Sequence, residues 1–232
     1  MHIDVIVGVP GCGKSHKIIS ESAITHGRYL FSLPTIDLIE EQAVRFRSLN
    51  SKAHCLQVHS RSTARGNVSR QIGDLASFGR GHHVVAMVTH EALMSTDLSG
   101  FHGWHARIDE PPNSLMGGQI NLSASIAAFK NDFTLEPVSG SNWSQLRPLH
   151  LGITWTAYAK DTLWRELTDF RKLAARPQGV CVNLCDWSEA RQGPVQWLSL
   201  WTPWQLKAFE TVTLAGAGIL TSLGFNRLLK KW

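Results

Sequence analysis

Apolar runs of strand length and apolar stripes of helical spacing take turns along the first half of the chain. Residues 2–7 (His-Ile-Asp-Val-Ile-Val) are mostly apolar and β-branched and end at a glycine cluster, which predicts a strand buried in a parallel sheet. After Gly13 the composition of residues 14–23 turns helical, so the first unit reads strand, glycine loop, helix. Residues 29–33 predict a second strand, closed by Pro34. Thr35 then reads as the N-cap of a helix in which Ile36, Ile39, Ala43 and Phe46 share one face, with Glu40, Glu41, Arg45 and Arg47 on the other. A short strand is expected at residues 55–59, and a helix bearing Val68, Ile72 and Leu75 that stops near Gly79 and Gly81. A buried strand follows at 84–88, then a short one at 106–108 that leads into Asp109. Alternation of this kind implies an α/β fold, a mostly parallel sheet with helices on its faces.

Past Pro112 the pattern changes to paired glycines, polar stretches and scattered tryptophans. One helix stands out there, its stripe formed by Leu163, Trp164, Leu167, Phe170, Leu173 and Ala174 and its end set by Pro177. Residues 211–214 restore a β-rich run, and a last helix is expected to finish at Lys230 and Lys231. The chain therefore divides into a core at 1–112, an insertion or accessory subdomain at 113–205, and a return to the core at 206–232.

With 232 residues and 43% hydrophobic content the chain accommodates one substantial α/β core carrying a large insertion. Absence of any apolar run near the ~18 residues of a membrane span, and of a basic leader after Met1, argues against a membrane protein and against secretion. Cys181 and Cys185 sit close together, but Cys12 and Cys55 form no second pair to match them. Reduced thiols of a cytoplasmic protein are the expectation, not a zinc site. A formal charge of +5 weakly favours a polyanionic partner. Of nine tryptophans, seven lie between Trp143 and Trp204; they either fill a small subdomain core or stack on exposed bases, with Arg147, Arg165, Arg171 and Arg191 interleaved.

Gly8-Val-Pro-Gly-Cys-Gly-Lys-Ser15 fits the G-x-x-x-x-G-K-[ST] phosphate loop at every fixed position, between an expected strand and an expected helix. The glycines let successive N–H groups turn inward onto phosphate oxygens, and the helix N-terminus adds its positive end. Gly8, Pro10, Gly11, Cys12, Gly13, Lys14, Ser15 and His16 are thus the candidate nucleotide contacts, Lys14 bridging the β- and γ-phosphates and the Ser15 hydroxyl completing a Mg2+ shell. Asp109 and Glu110 emerge from a strand end beside that loop. There an aspartate can hold Mg2+ and the adjacent glutamate can act as base toward a water.

Taken in order, these segments resemble the first RecA-like domain of a superfamily 2 helicase, the group of the DEAD-box and DEAH-box proteins. Gly8 to Ser15 resembles motif I, residues 32–35 motif Ia, residues 88–93 motif Ib or Ic, residues 108–111 motif II, and residues 213–216 motif III. The resemblance implies a three-layer RecA-like P-loop NTPase fold, ATP with Mg2+, and contact of Pro34, Thr35, Thr89 and His90 with single-stranded DNA or RNA. It implies a coupling role for Thr213 and Gly216. Prolines follow the acidic pair, and about a hundred residues separate Asp109 from Thr213, so a tryptophan-rich insertion interrupts the pattern. A second RecA-like lobe does not follow in this sequence; a partner chain or a longer protein is expected to supply it. A helicase-like ATPase is the leading expectation. The alternatives are a nucleotide-switched assembly or regulatory factor with little turnover, and a P-loop kinase.

Overall fold

The computed structural model describes residues 2–62, 68–112, 115–121, 130–149, 168, 170–189 and 193–219. It divides into two compact units, Met1–Asn113 with Thr202–Trp232, and Ser114–Trp201.

The first unit is α/β. Its six strands are β1 (His2–Val7), β2 (Arg28–Leu33), β3 (His54–Val58), β4 (Val84–Thr89), β5 (His105–Asp109) and β11 (Thr211–Gly216). They form one sheet in the order β1-β11-β5-β2-β4-β3, and every pairing is parallel. Between them lie α1 (Lys14–Ile24), α2 (Ile36–Leu49), α3 (Val68–Leu75) and α4 (His90–Ser95). The central strands are apolar on both faces, as strands covered on both sides must be. Ile18 and Ile19 of α1, Ile39, Ala43 and Phe46 of α2, Tyr29, Phe31 and Leu33 of β2, and Val85 and Met87 of β4 pack into one cluster. Because side chains alternate along a strand, Leu30 and Ser32 face the other way, and Ser32 is where α4 is tied down, through His90. On the loop that precedes β5, Phe101 packs edge-on to Trp104 and stacks on Phe209.

β1 departs from the expectation of a buried strand: its residues are exposed or half-buried, Val7 being 50% exposed. It stands at one edge of the sheet and, among the described residues, pairs with β11 alone. Helix α2 starts as read, the Thr35 hydroxyl accepting from the Leu38 N–H at 3.2 Å. Such a cap contributes about 1 kcal/mol.

The second unit carries an antiparallel sheet that the polar and glycine-rich sequence did not announce. Its strands are β6 (Leu115–Ile120), β7 (Phe133–Pro137), β8 (Trp143–Pro148), β9 (Val180–Asn183) and β10 (Val195–Leu200), in the order β6-β10-β9-β8-β7. Helix α5 (Leu184–Ser188) follows β9, with Asn183 as its N-cap. Ile120, Phe133, Leu146, Val180, Val182, Trp187 and Val195 form the core, and Phe170, Leu173 and Ala174 join it from residues 170–174, which are helical. The rest of the helix expected from Leu163, and the final helix expected to end at Lys231, lie outside the described residues. Six tryptophans are described: Trp104, Trp187 and Trp201 are buried, and Trp143, Trp197 and Trp204 half-buried. None is exposed as a stacking platform. Among the described residues no helix is long and apolar enough to cross a membrane.

Candidate active site

Six parallel strands bring six strand ends to one edge of the sheet, where ligands of open α/β sheets bind. The loops that meet there follow β1 (the phosphate loop), β2 (Pro34-Thr35), β3 (His59), β4 (His90), β5 (Asp109-Glu110) and β11 (Gly216).

In the phosphate loop Gly11 and Gly13 hold φ of 78° and 85°, conformations that a Cβ disfavours. The Cys12 N–H closes a turn onto the Val9 carbonyl at 3.3 Å, and the Lys17 N–H opens α1 by bonding to the Gly13 carbonyl at 2.9 Å. Lys14 is buried and curls back over this loop, its Nζ donating to the Gly8 and Val9 carbonyls at 2.9 Å each. Pro10, Gly11, Cys12 and His16 are exposed around it.

Across the sheet edge, the Ser15 hydroxyl donates to Asp109 Oδ2 at 2.5 Å, 94 residues away in sequence. Asp109 is only 6% exposed, and its other oxygen, Oδ1, is buried with no hydrogen-bond partner. Burial raises its carboxyl above the ordinary aspartate value, and the neighbouring Glu110 charge adds to this. The Ser15 hydroxyl and the Lys14 ammonium pull the other way. A buried carboxylate with one orphaned oxygen beside a hydroxyl suits a hard divalent cation. Among the described residues no group of three or more His, Cys, Asp or Glu side chains gathers to hold a metal. The donor set fits Mg2+, which takes one or two protein oxygens and fills its remaining positions with phosphate and water.

Glu110 is the one non-glycine among the described residues with positive φ, 56°. Its N–H donates to the Ala215 carbonyl at 2.7 Å, and Pro111 stiffens the chain beyond it. Its side chain is exposed. Gly216 is in register with Val7, directly before the phosphate loop, and a Cβ on it would lie 2.9 Å from Pro111 Cδ. Glu110, Pro111, Gly216, Gly218 and Ile219 line an open cleft of about 270 Å3. Thr213 is buried three residues back from this edge, in register between Asp4 and Arg107. Of the two residues expected to couple, only Gly216 stands at the strand's end.

Pro34, Thr35 and Thr89 come together with His59, Ser60 and Glu91 around a second cleft of about 410 Å3. His59 is 4% exposed, and both its ring nitrogens lack hydrogen-bond partners. Sequence reasoning passed over it, although a histidine at the end of a strand on the ligand edge was a signal within reach. His90, expected in this cleft, is not among its lining residues. Its Nδ1 pairs with Ser32 Oγ at 2.6 Å, and its Nε2 is buried without a hydrogen-bond partner. Burial lowers its pKa to about 4, so the ring is neutral at ordinary pH.

All four cysteines are free thiols. No protein-family model matches the chain, and no curated protein matches it either.

Proposed function

We propose that this chain is an ATP-binding and ATP-hydrolysing domain of the RecA-like, helicase type, working with Mg2+ on single-stranded nucleic acid and completed by a second lobe or a partner chain. The observation that carries the reading is the 2.5 Å pairing of Ser15 with Asp109, whose second oxygen is buried and unpaired. It joins the phosphate loop and the acidic pair into one site.

In this reading Lys14 exchanges its two carbonyl acceptors for the β- and γ-phosphate oxygens, and the loop amides cradle the phosphates. Ser15 Oγ and Asp109 would hold Mg2+, which when bound neutralises phosphate charge. Glu110, exposed at the end of a conformationally restricted segment, orients the attacking water and takes its proton. Gly216 lets Pro111 pack against β11 and so fixes where that carboxylate starts.

The cleft of Pro34, Thr35, Thr89 and His59 supports contact with a phosphodiester backbone. The first turn of α2 presents N–H groups there, and the unpaired His59 ring supplies a further donor. The described residues lining the two clefts include no arginine to neutralise the transferring phosphoryl group. Slow turnover by the isolated chain follows, with stimulation when the second lobe is present. Hydrolysis measured with and without single-stranded DNA or RNA tests the proposal. Stimulated turnover that disappears in Lys14→Ala supports it; transfer of phosphate to a small acceptor, or tight binding with no turnover, overturns it.

A further inference from the structure

The geometry points to His90 as a positioning residue that braces the main chain of Asp109 and Glu110 against the strand-binding cleft, and not as a nucleic-acid contact. This rests on the hydrolytic role proposed above for Glu110.

Three observations converge on the ring. First, His90 directly follows Thr89, whose side chain caps α4 by accepting from the Ala92 N–H at 3.2 Å and which lines the cleft. Second, its Nδ1 is held at 2.6 Å by Ser32, a fully buried hydroxyl two residues before Pro34 on the same cleft. Third, its Nε2 is buried without a hydrogen-bond partner, and the Ser32 that holds the ring is in register with Ile108, directly before Asp109 and Glu110. The ring therefore spans from the ends of β2 and β4 to the end of β5.

In the tautomer that this brace requires, the Ser32 hydroxyl donates to Nδ1 and Nε2 carries the hydrogen, available to a main-chain acceptor of Asp109 or Glu110. Its target is not a relaxed peptide. Glu110 holds a φ of 56°, a region costly for a residue with a side chain, and is pinned from the other side by its N–H to Ala215. An unsatisfied buried donor beside a strained peptide defines two arrangements: the strained one, and one in which the peptide turns until a carbonyl accepts from Nε2. Movement of the Pro34-Thr35 or Thr89 segments on filling the cleft is transmitted through Ser32 and the backbone of α4 to the ring. It thereby selects between those arrangements and re-aims the Glu110 carboxylate.

The test uses the full chain with His90→Ala, His90→Gln and Ser32→Ala, all checked by circular dichroism. Glutamine places an amide nitrogen where Nε2 stands, so it retains the brace if alanine perturbs folding. Steady-state ATP hydrolysis, binding of a fluorescent ATP analogue and binding of a single-stranded oligonucleotide are measured. His90→Ala should lower kcat by about 10- to 100-fold, the scale of a small misplacement of a catalytic group. KM and oligonucleotide affinity should stay within about two-fold, and His90→Gln should recover most of the rate. Unchanged kcat, or lost oligonucleotide affinity with kcat intact, overturns the inference.

If the wild-type chain proves inactive, the hydrolytic reading fails by itself and the amide resonances of Asp109 and Glu110 decide the brace. They shift in His90→Ala and Ser32→Ala, and in the wild type on adding oligonucleotide, if the ring holds them. Resonances that ignore both substitutions and the oligonucleotide overturn it.

Discussion

Replacing Glu110 once by alanine and once by glycine separates the strain of its backbone from the chemistry of its carboxylate. Both substitutions remove the carboxylate; only glycine also removes the Cβ that makes a φ of 56° costly. The left-handed conformation costs a residue with a side chain about 1–2 kcal/mol. Glycine returns about 0.5–1 kcal/mol of this through the greater freedom of its unfolded chain. Glu110→Gly should therefore be more stable than Glu110→Ala by roughly 0.5–1 kcal/mol, a difference of about 1–4 °C in Tm for a chain of this size.

Scanning calorimetry reads that difference, with hydrogen exchange of the β2 and β5 amides assigning the transition of the parallel-sheet unit. Both variants should also lose about 10²- to 10⁴-fold in ATP hydrolysis, the usual contribution of a general base. A glycine variant no more stable than the alanine variant would refute strain at this position. Wild-type turnover in the alanine variant would remove Glu110 from the chemistry.

Three further outcomes are expected. Because burial raises the Asp109 carboxyl, the folded chain holds a proton that the unfolded chain has already lost, so stability falls as pH rises from the ordinary aspartate range through the raised value. Urea unfolding across pH should show that decline in the wild type and not in Asp109→Asn, which should be the more stable protein at neutral pH and lose any Tm gain from Mg2+. His59→Leu removes two buried, unpartnered nitrogens at similar volume; it should raise stability by about 1 kcal/mol while weakening oligonucleotide binding several-fold in a fluorescence titration. Gly216→Ala sets a Cβ 2.9 Å from Pro111 Cδ and 3.2 Å from Ile219 Cγ1; calorimetry should register a loss of about 1–3 kcal/mol, accompanied by a lower kcat.

What could be read in the sequence was what local pattern determines. The runs of β2 and β4 are apolar at nearly every position because both faces of a central parallel strand are covered, and the stripe of α2 and its Thr35 cap are likewise local. The tight glycine loop between β1 and α1 was legible because its glycines stand at fixed spacing between a strand run and a helical one, and Asp109 was legible as the end of a strand. The antiparallel sheet of the second unit was hidden for a physical reason. β6 exposes all but Ile120, β7 all but Phe133, and Gly117 and Gly118 sit inside β6, so neither strand shows a sustained apolar alternation.

Long-range geometry was illegible too. Nothing around residue 110 announces a positive φ, and the pairing of His90 with Ser32 spans 58 residues. The resemblance set His90 beside Pro34, Thr35 and Thr89; the fold keeps those three together around one cleft and pairs His90 with Ser32.

The central claim is that Ser15 and Asp109 complete a single Mg2+-nucleotide site on the phosphate loop. Titrating a fluorescent, non-hydrolysable ATP analogue into the full chain with and without Mg2+ tests it most directly. The account predicts saturable binding with Kd on the order of 1–100 µM, within the usual range for enzyme substrates, weakened by chelating the metal and lost in Lys14→Ala. Binding that ignores both Mg2+ and Lys14, or no binding at about millimolar nucleotide, would contradict it.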